Sequence, residues 1–479
     1  RCSALDALAT ALAAGVASTD ELEQAVGAAR AAGVAADDAM LLAAERALGA
    51  SRLLALFDRP ASDLDWPSAV KVGAGGFGDV YKVPCAGVVV AAKKLHMDTR
   101  EETLKLLKRE ALVLAKVRHP HVVTMYGITT GDPVCLLLEF APLGSLRAVI
   151  DAAKDGTTPL VEEARYKLLC GTVSGMAALH AQKPAPVLHH DLKSLNVLVF
   201  DGMLAKITDF GLATGTSLST VATRRDGAGA GTFAYSAPEV YEDEPFTTAC
   251  DVYSFGVIAW ELSTLAMPWE GKKEVAVMRK VTSGVRPDSE VALPPGLLGA
   301  LATRCWAQEA QKRPSFDLLA RELATGAHLT AELAALDEAA ARTQLHELGP
   351  DPTQPASWVR GDTTDGLSLA EVRAELTRQL VRKDLPAPSL AAAARGAVRR
   401  RLSQLLVRLV GTDRAVDELM RQHAGAALWQ SVLPEYCPGV PAAPDYTRTK
   451  VLVLVAGMGL GADPDEGQYK YLKRHGFQL

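Results

Sequence analysis

Apolar positions recur at helical spacing through residues 1–58, where Leu5, Leu8 and Leu12 share one face and Leu22, Val26 and Ala29 share another. Gly15 and Gly33 are followed by cap-forming runs, Ser18-Thr19-Asp20 and Asp37-Asp38, so the spacing predicts a small helical hairpin or bundle rather than one long helix. Near residue 66 the period changes. Ala69 to Val72 and Val88 to Ala91 read as strands around a glycine-rich turn, with Gly87 as a hairpin turn residue. From about 160 to 325 the pattern is mainly helical, broken by strand-like pieces at 197–200 and 204–208. Strands first and helices afterwards is the order of a two-lobed α+β domain, a small β-rich lobe followed by a larger helical one.

Past residue 325 an alanine-rich helix is expected to run to Leu348, as a helical extension over 326–348. The Pro/Thr/Gly-rich stretch 349–366 reads as a linker. A helical segment follows over 367–425, with helices at about 368–382 and 390–424. The run Val451 to Val455, with Gly457, Gly459 and Gly461 behind it, makes 450–479 a candidate start of a second, truncated α/β domain. It lacks a Walker-type phosphate loop, and a strand that pairs with partners outside this chain is the competing reading. No regular internal repeat is present.

Composition narrows the class without choosing the chemistry. In 479 residues, 48% hydrophobic and 22% charged, there is ample material for more than one packed core. A formal net charge of -5 gives no footprint for nucleic acid. The seven cysteines include no CxxC pair, which speaks against a zinc or redox-dithiol site and for reduced thiols in a cytoplasmic protein. No apolar run reaches the ~20 residues of a membrane span. The chain opens on Arg1 without a leader pattern, so it is expected to be a fragment.

The candidate chemistry begins at Gly73, Gly75, Gly76, Phe77, Gly78 and Val80. Glycines let a backbone approach phosphate oxygens closely. A dinucleotide-binding loop would lead into a helix, whereas Val80 to Val83 continue as strand, which disfavours that reading. Lys93 ends the next strand and supplies the fixed cation that ATP phosphates need, while Lys94 falls on the opposite, solvated face. On the helix spanning 101–117, Glu110 is the acid chosen to hold Lys93; Glu101 and Glu102 suit the helix N-terminus instead. Then come His189, His190, Asp191, Leu192, Lys193, Ser194, Leu195 and Asn196, followed by Asp209-Phe210-Gly211. Phosphoryl transfer asks for positioning and charge neutralisation. Asp191 can orient an acceptor hydroxyl, Asn196 and Asp209 offer hard oxygen ligands suited to Mg2+, and Lys193 can neutralise the moving phosphate.

With these motifs in this order, residues 66–325 resemble the protein kinase catalytic domain. The resemblance extends to Ala237-Pro238-Glu239, the run from Asp251 to Gly256, and Arg313 as a partner for Glu239. Lys193 and the segment from Gly231 to Glu239 resemble serine/threonine kinases, with Thr232 expected to touch Asp191 and Lys193, and Cys305-Trp306 and the run from His189 to Leu198 resemble their tyrosine-kinase-like branch. The resemblance implies an ATP-dependent enzyme with Mg2+ as its metal and a Ser- or Thr-bearing protein as substrate. It also implies an adenine site between Val80 and Ala91 above and Leu198 below. Glu139 and Ala141 would present the hinge backbone, Leu138 would guard the deeper pocket, and Leu114, Met125, His189 and Phe210 would form an apolar column anchored at Asp251. Ordinary core packing explains those apolar residues equally well from the sequence. The rival function is a scaffold that keeps the fold without transferring phosphate. Such chains usually lose an equivalent of Lys93, Asp191 or Asp209, and all three are present.

One departure concerns the switch. His190 stands where the family often has arginine, and a neutral imidazole offers at most one donor to an activation-loop phosphate. Thr216, Ser217, Ser219, Thr220 and Thr223 are the phosphorylatable candidates of that loop. The helical flanks are expected to bind protein partners or to autoinhibit.

Overall fold

The computed structural model describes residues 2–13, 19–75, 78–95, 99–210, 232–242, 244–348, 367–381, 387–394 and 396–397. The chain divides into two compact units, Arg1–Ala320 and Arg321–Leu479.

In the first unit α1 (Cys2–Ala13), α2 (Thr19–Ala31) and α3 (Ala39–Ala55) close around Leu8, Leu22, Val26, Ala29, Leu41 and Leu48. The residues are spaced three and four apart, so one stripe of each helix is apolar. Asp38 starts α3 by accepting hydrogen bonds from the Met40 and Leu41 amides at 2.9 and 3.3 Å. Gly33, at φ 68°, lies in the turn that follows α2. Gly15 and Ser18 lie outside the described residues.

The sheet runs β1 (Val70–Gly75), β2 (Gly78–Cys85), β3 (Val88–Leu95), β4 (Met125–Thr129) and β5 (Cys135–Glu139), in the order β1-β2-β3-β5-β4 with every pair antiparallel. Ala86 and Gly87 turn β2 into β3 with φ of 46° and 88°, the left-handed pair that matches strand twist in a two-residue hairpin. Between β3 and β4 lies α4 (Arg100–Lys116), opened by a capping box. The Glu102 amide donates to Thr99 Oγ1 at 3.2 Å, and the Thr99 amide donates to Glu102 Oε2 at 3.2 Å. Glu102 therefore caps α4 directly, beyond the dipole role its position suggested.

The larger lobe contains α5 (Leu146–Lys154), α6 (Glu162–His180), the hairpin β6 (Val197–Phe200)–β7 (Leu204–Ile207), α7 (Pro238–Tyr241), α8 (Thr248–Thr264), α9 (Glu274–Thr282), α10 (Leu297–Cys305) and α11 (Phe316–Thr325). Every residue of α8 from Cys250 to Leu262 is buried, so this helix is the lobe's axis rather than an amphipathic surface element. The two-lobed α+β architecture expected from the order of strands and helices is the one observed.

The second unit holds α12 (Ala327–Ala335), α13 (Glu338–Leu348) and α14 (Leu369–Leu380) around Leu329, Leu333, Leu345, Val372, Leu376 and Leu380. The single helix expected over 326–348 is two. Leu336 is extended (ψ 135°) and Asp337 Oδ1 accepts the Ala340 amide at 2.7 Å, so an aspartate that caps a new helix ends the old one. The linker 349–366, the remainder of the helix expected to 424 and the segment 450–479 lie outside the described residues.

Thr99→Ala removes one half of the α4 capping box and is expected to cost about 1 kcal/mol. Hydrogen exchange should accelerate over the first turn, residues 100–103, and remain unchanged toward Lys116.

Candidate active site

Two clusters of polar side chains form where the lobes meet. On β3, Lys93 is buried, and its ammonium lies 2.9 and 3.0 Å from the Glu110 carboxylate oxygens and 3.0 Å from Asp209 Oδ1. Burial works against the charge on Lys93, and the carboxylates of Asp209 and Glu110 outweigh it, so its pKa is raised. Burial also pushes Glu110 up, only partly offset by Lys93. Asp209 is pushed up by burial but held below the usual carboxylate range, because Lys93 both faces it and hydrogen-bonds to it. Lys94, on the other face of β3, is half-buried rather than fully solvated.

The glycine turn joins β1 to β2. Gly73 pairs with Val80 and Gly75 with Gly78; Gly76, Phe77 and, further on, Gly211 lie outside the described residues. Gly78 has φ 155°, and a Cβ there would sit 2.1 Å from the Lys94 carbonyl oxygen. Only glycine lets β2 approach β3 this closely.

The second cluster follows α6. Lys193 Nζ donates to Asp191 Oδ2 at 2.8 Å, and Asn196 Nδ2 donates to the Asp191 carbonyl at 2.7 Å and to its Oδ2 at 3.1 Å. Asp191 Oδ1 is buried and has no hydrogen-bond partner among the described residues. The loop is tied to α8 by Asp251, which accepts the amides of His189 (2.9 Å) and His190 (3.1 Å) and pairs with His180 Nε2 at 2.9 Å. Burial alone would raise the Asp251 pKa, and the His180 hydrogen bond and charge reverse that, leaving it lowered. His190 and Asp209 sit at φ 67° and 66°, left-handed conformations that cost non-glycine residues free energy and cluster at functional segments.

Of the remaining expected residues, Ala91 on β3 stands opposite Lys82 and Leu138, and Val90 opposite Glu139. The Glu139 carboxylate binds Lys206 Nζ at 2.7 Å and accepts the Thr124 amide at 2.7 Å, which pins the connection between lobes to β7. The Ala141 carbonyl accepts the Gly144 amide at 3.2 Å, and Leu198 on β6 forms an antiparallel bridge with Ser145. Leu114, Met125, His189 and Phe210 are all buried, with the His189 and Phe210 rings 5.4 Å apart. The Glu239–Arg313 pair is bidentate, at 2.5 and 2.9 Å. The side chain of Thr232 and the loop hydroxyls from Thr216 to Thr223 are not among the described groups.

Sequence reasoning passed over a further cluster. Glu261, fully buried on α8, accepts from Arg147 Nη1 at 2.7 Å and from Ser194 Oγ at 2.9 Å, and Ser194 Oγ lies 3.1 Å from the Tyr235 hydroxyl. The catalytic-loop segment is thereby joined to α5, α8 and the segment before α7. Burial pushes the Glu261 carboxyl up to about 7 against the opposing charge of Arg147. The available signal was an acid after the apolar run Phe255 to Trp260 of α8, since a buried carboxylate needs named partners.

Asn196 and Asp209 each carry a side-chain oxygen, the donor type a hard divalent cation takes. Among the described residues no three His, Cys, Asp or Glu side chains converge as a metal cluster. The model for the protein tyrosine and serine/threonine kinase family matches residues 68–323, more than half of the chain. The chain belongs to that family. Its relatives include stress-activated protein kinase alpha of Dictyostelium discoideum, 35% identical over 266 residues, which are 52% of this chain and 40% of that protein. Serine/threonine-protein kinase CTR1 of Arabidopsis thaliana is 35% identical over 252 residues, 51% of this chain and 30% of that protein. Mitogen-activated protein kinase kinase kinase 7 of Mus musculus is 35% identical over 250 residues, 51% of this chain and 41% of that protein. The chain therefore spans less than half the length of these relatives. A kinase domain implies ATP, a divalent metal and a protein acceptor. No described helix is long and apolar enough to cross a membrane.

The kinase's buried carboxylates set an acid limit. Asp251 and Glu239 are both lowered from ordinary values of 3.8 and 4.5, burial being outweighed by His180 and by Arg313 respectively. A depressed carboxyl contributes stability that is complete above the ordinary value and is lost as pH falls through the folded one. Melting temperatures of wild type and Asp251→Asn should differ most above about pH 5 and converge as pH drops toward 2. A gap that stays constant across that window contradicts this assignment.

Proposed function

We propose that residues 66–325 are an active protein kinase of the tyrosine-kinase-like branch, transferring the γ-phosphate of Mg-ATP to Ser or Thr hydroxyls of proteins. The supporting observation is Asp191: one carboxylate oxygen is held by Lys193 and Asn196, and the other is buried without a partner among the described residues. A buried, unsatisfied acceptor is costly, and an incoming hydroxyl would satisfy it.

In this reading Lys93, fixed by Glu110, binds the non-transferred phosphates, and the backbone of Gly73 to Gly78 covers them. Val80, Ala91 and Leu198 enclose the adenine, with the backbone of Glu139 and Ala141 along its edge. Asp191 accepts the hydrogen bond of the acceptor hydroxyl and aligns its oxygen with the γ-phosphorus. Lys193 neutralises charge on the phosphoryl oxygens as the bond to the leaving diphosphate breaks. Asn196 and Asp209 would hold Mg2+, which supplies charge neutralisation along the phosphates when bound. Buried thiols such as Cys85, Cys135 and Cys250 accord with a cytoplasmic setting. The helical flanks are read as regulatory or partner-binding segments.

Asp191→Asn should lower γ-phosphate transfer to a Ser/Thr peptide library by about 10²–10⁴-fold while leaving nucleotide binding near wild type. Equal transfer by both proteins would remove the enzyme reading, and labelling confined to tyrosine peptides would remove the Ser/Thr assignment.

His190 supports a looser coupling of activity to loop phosphorylation. Its ring is stacked on Phe246 at 4.2 Å and 16°, where an arginine would offer a bidentate fork. Phosphatase-treated enzyme should retain most of its activity, and His190→Arg should increase the dependence on phosphorylation. An inactive dephosphorylated wild type, unchanged by His190→Arg, is the opposing result.

A further inference from the structure

The order β1-β2-β3-β5-β4 leaves β4 at the sheet's edge, next to α4, the helix that carries Glu110. An open edge of unpaired amides and carbonyls needs covering. Here the covering comes from this chain's own residues 57–59, which precede the family-matched stretch 68–323. Asp58 forms a parallel bridge with Ile128: the Ile128 amide donates to the Phe57 carbonyl at 2.9 Å, and the Arg59 amide donates to the Ile128 carbonyl at 2.8 Å. Both main-chain groups of Ile128 are used. Gly127 makes the approach possible, because a Cβ there would lie 2.7 Å from Arg59 Cγ and 2.9 Å from the Phe57 carbonyl oxygen.

The same extension reaches α4 by two further routes. Helix α3, held in the bundle by Leu41, Ala44 and Leu48, packs against α4. Thr130 Oγ1 donates to Asp58 Oδ1 at 3.3 Å, and the Thr130 and Gly131 carbonyls accept from Arg100, the first residue of α4, at 2.5 and 3.3 Å. One face of α4, with Leu107, Ala111 and Leu114, is buried along with Glu110. The helix is therefore held from its N-terminal extension side as well as from the sheet.

We propose that residues 1–59 act as a built-in strut, in which the 57–59 strand on the β4 edge and α3 on α4 hold Glu110 against Lys93. The residues at the contact are positioning residues: none touches Lys93 or Asp209, and their effect on phosphoryl transfer runs through the placement of α4. The strut rests on the kinase reading for its functional consequence but not for its structural one. It gives this chain a fixed Lys93–Glu110 pair whose geometry is set by its own N-terminal helices, without a partner protein or a loop phosphate having to push α4 into place.

Two variants of the full chain test this. Arg59→Pro removes the amide donor to Ile128 without altering any residue of 68–323, and Gly127→Val forces the Phe57 carbonyl away. Arg30→Ala, which removes an exposed ion pair with Glu45 inside the bundle, is the control. Hydrogen exchange is expected to speed up at Ile128 and, in both strut variants, along residues 100–116, while α8 stays protected. The value of kcat/KM for ATP should fall about tenfold, as for the loss of roughly one to two hydrogen bonds, with KM for the peptide substrate unchanged. Arg30→Ala should match wild type in every readout. Opening of the Ile128 amide with wild-type exchange in α4 and wild-type kcat/KM overturns the proposal. If Gly127→Val does not fold, Arg59→Pro decides alone. If the wild type transfers no phosphate, the kinase reading fails while the exchange experiment still decides the strut.

Discussion

A buried ammonium needs counter-charge, and Lys93 finds it in two carboxylates brought by different parts of the chain. Glu110 arrives on α4 and Asp209 on the segment after β7, each within about 3 Å of Nζ. Removing Lys93 would leave two carboxylates without counter-charge in a poorly solvated place, where such a loss typically costs ~3–5 kcal/mol. The ion cluster thus links the sheet, its helix and the segment after β7 of the larger lobe in one arrangement. Much else follows from keeping that arrangement: the capping box that starts α4, the Gly78 contact that fits β2 to β3, and the covered edge of β4.

The larger lobe solves a matching problem around α8. This helix is apolar almost throughout, yet it carries Asp251 and Glu261, each fully buried and each bound to the catalytic-loop region. Asp251 fixes the main chain at His189 and His190, and Glu261 fixes Ser194 together with Arg147. Two acids ten residues apart on a rigid helix hold the loop at two points. Asp191, Lys193 and Asn196 are presented between those points, and the left-handed backbone at His190 is sustained by the surrounding hydrogen bonds.

The candidate residues of the domain were legible early because the kinase family's motifs use few residue types at strict intervals. Lys93, Glu110, Asp191, Lys193, Asn196 and Asp209 stand out by order and spacing, and the structure brings them into two contacting sets. The supporting residues were less legible. Arg147 and Glu261 lie 114 positions apart, and neither carries a local signal for the other. The break at Leu336 was also hidden, since Asp337 reads as an ordinary polar position in an alanine-rich run until its carboxylate is seen capping Ala340.

By itself the amino-acid sequence determined the order of strands and helices, the faces of the N-terminal helices and the residue types of the candidate site, because these depend on local periodicity and on short-range spacing. Only the tertiary structure decided which acids meet which bases across long loops, and that residues 57–59 pair with β4. Main-chain hydrogen bonding at a sheet edge has no side-chain signature, so nothing in Phe57, Asp58 or Arg59 announces Ile128 as its partner. Gly127 acquires its meaning only when the Phe57 carbonyl is found in the space its missing side chain leaves.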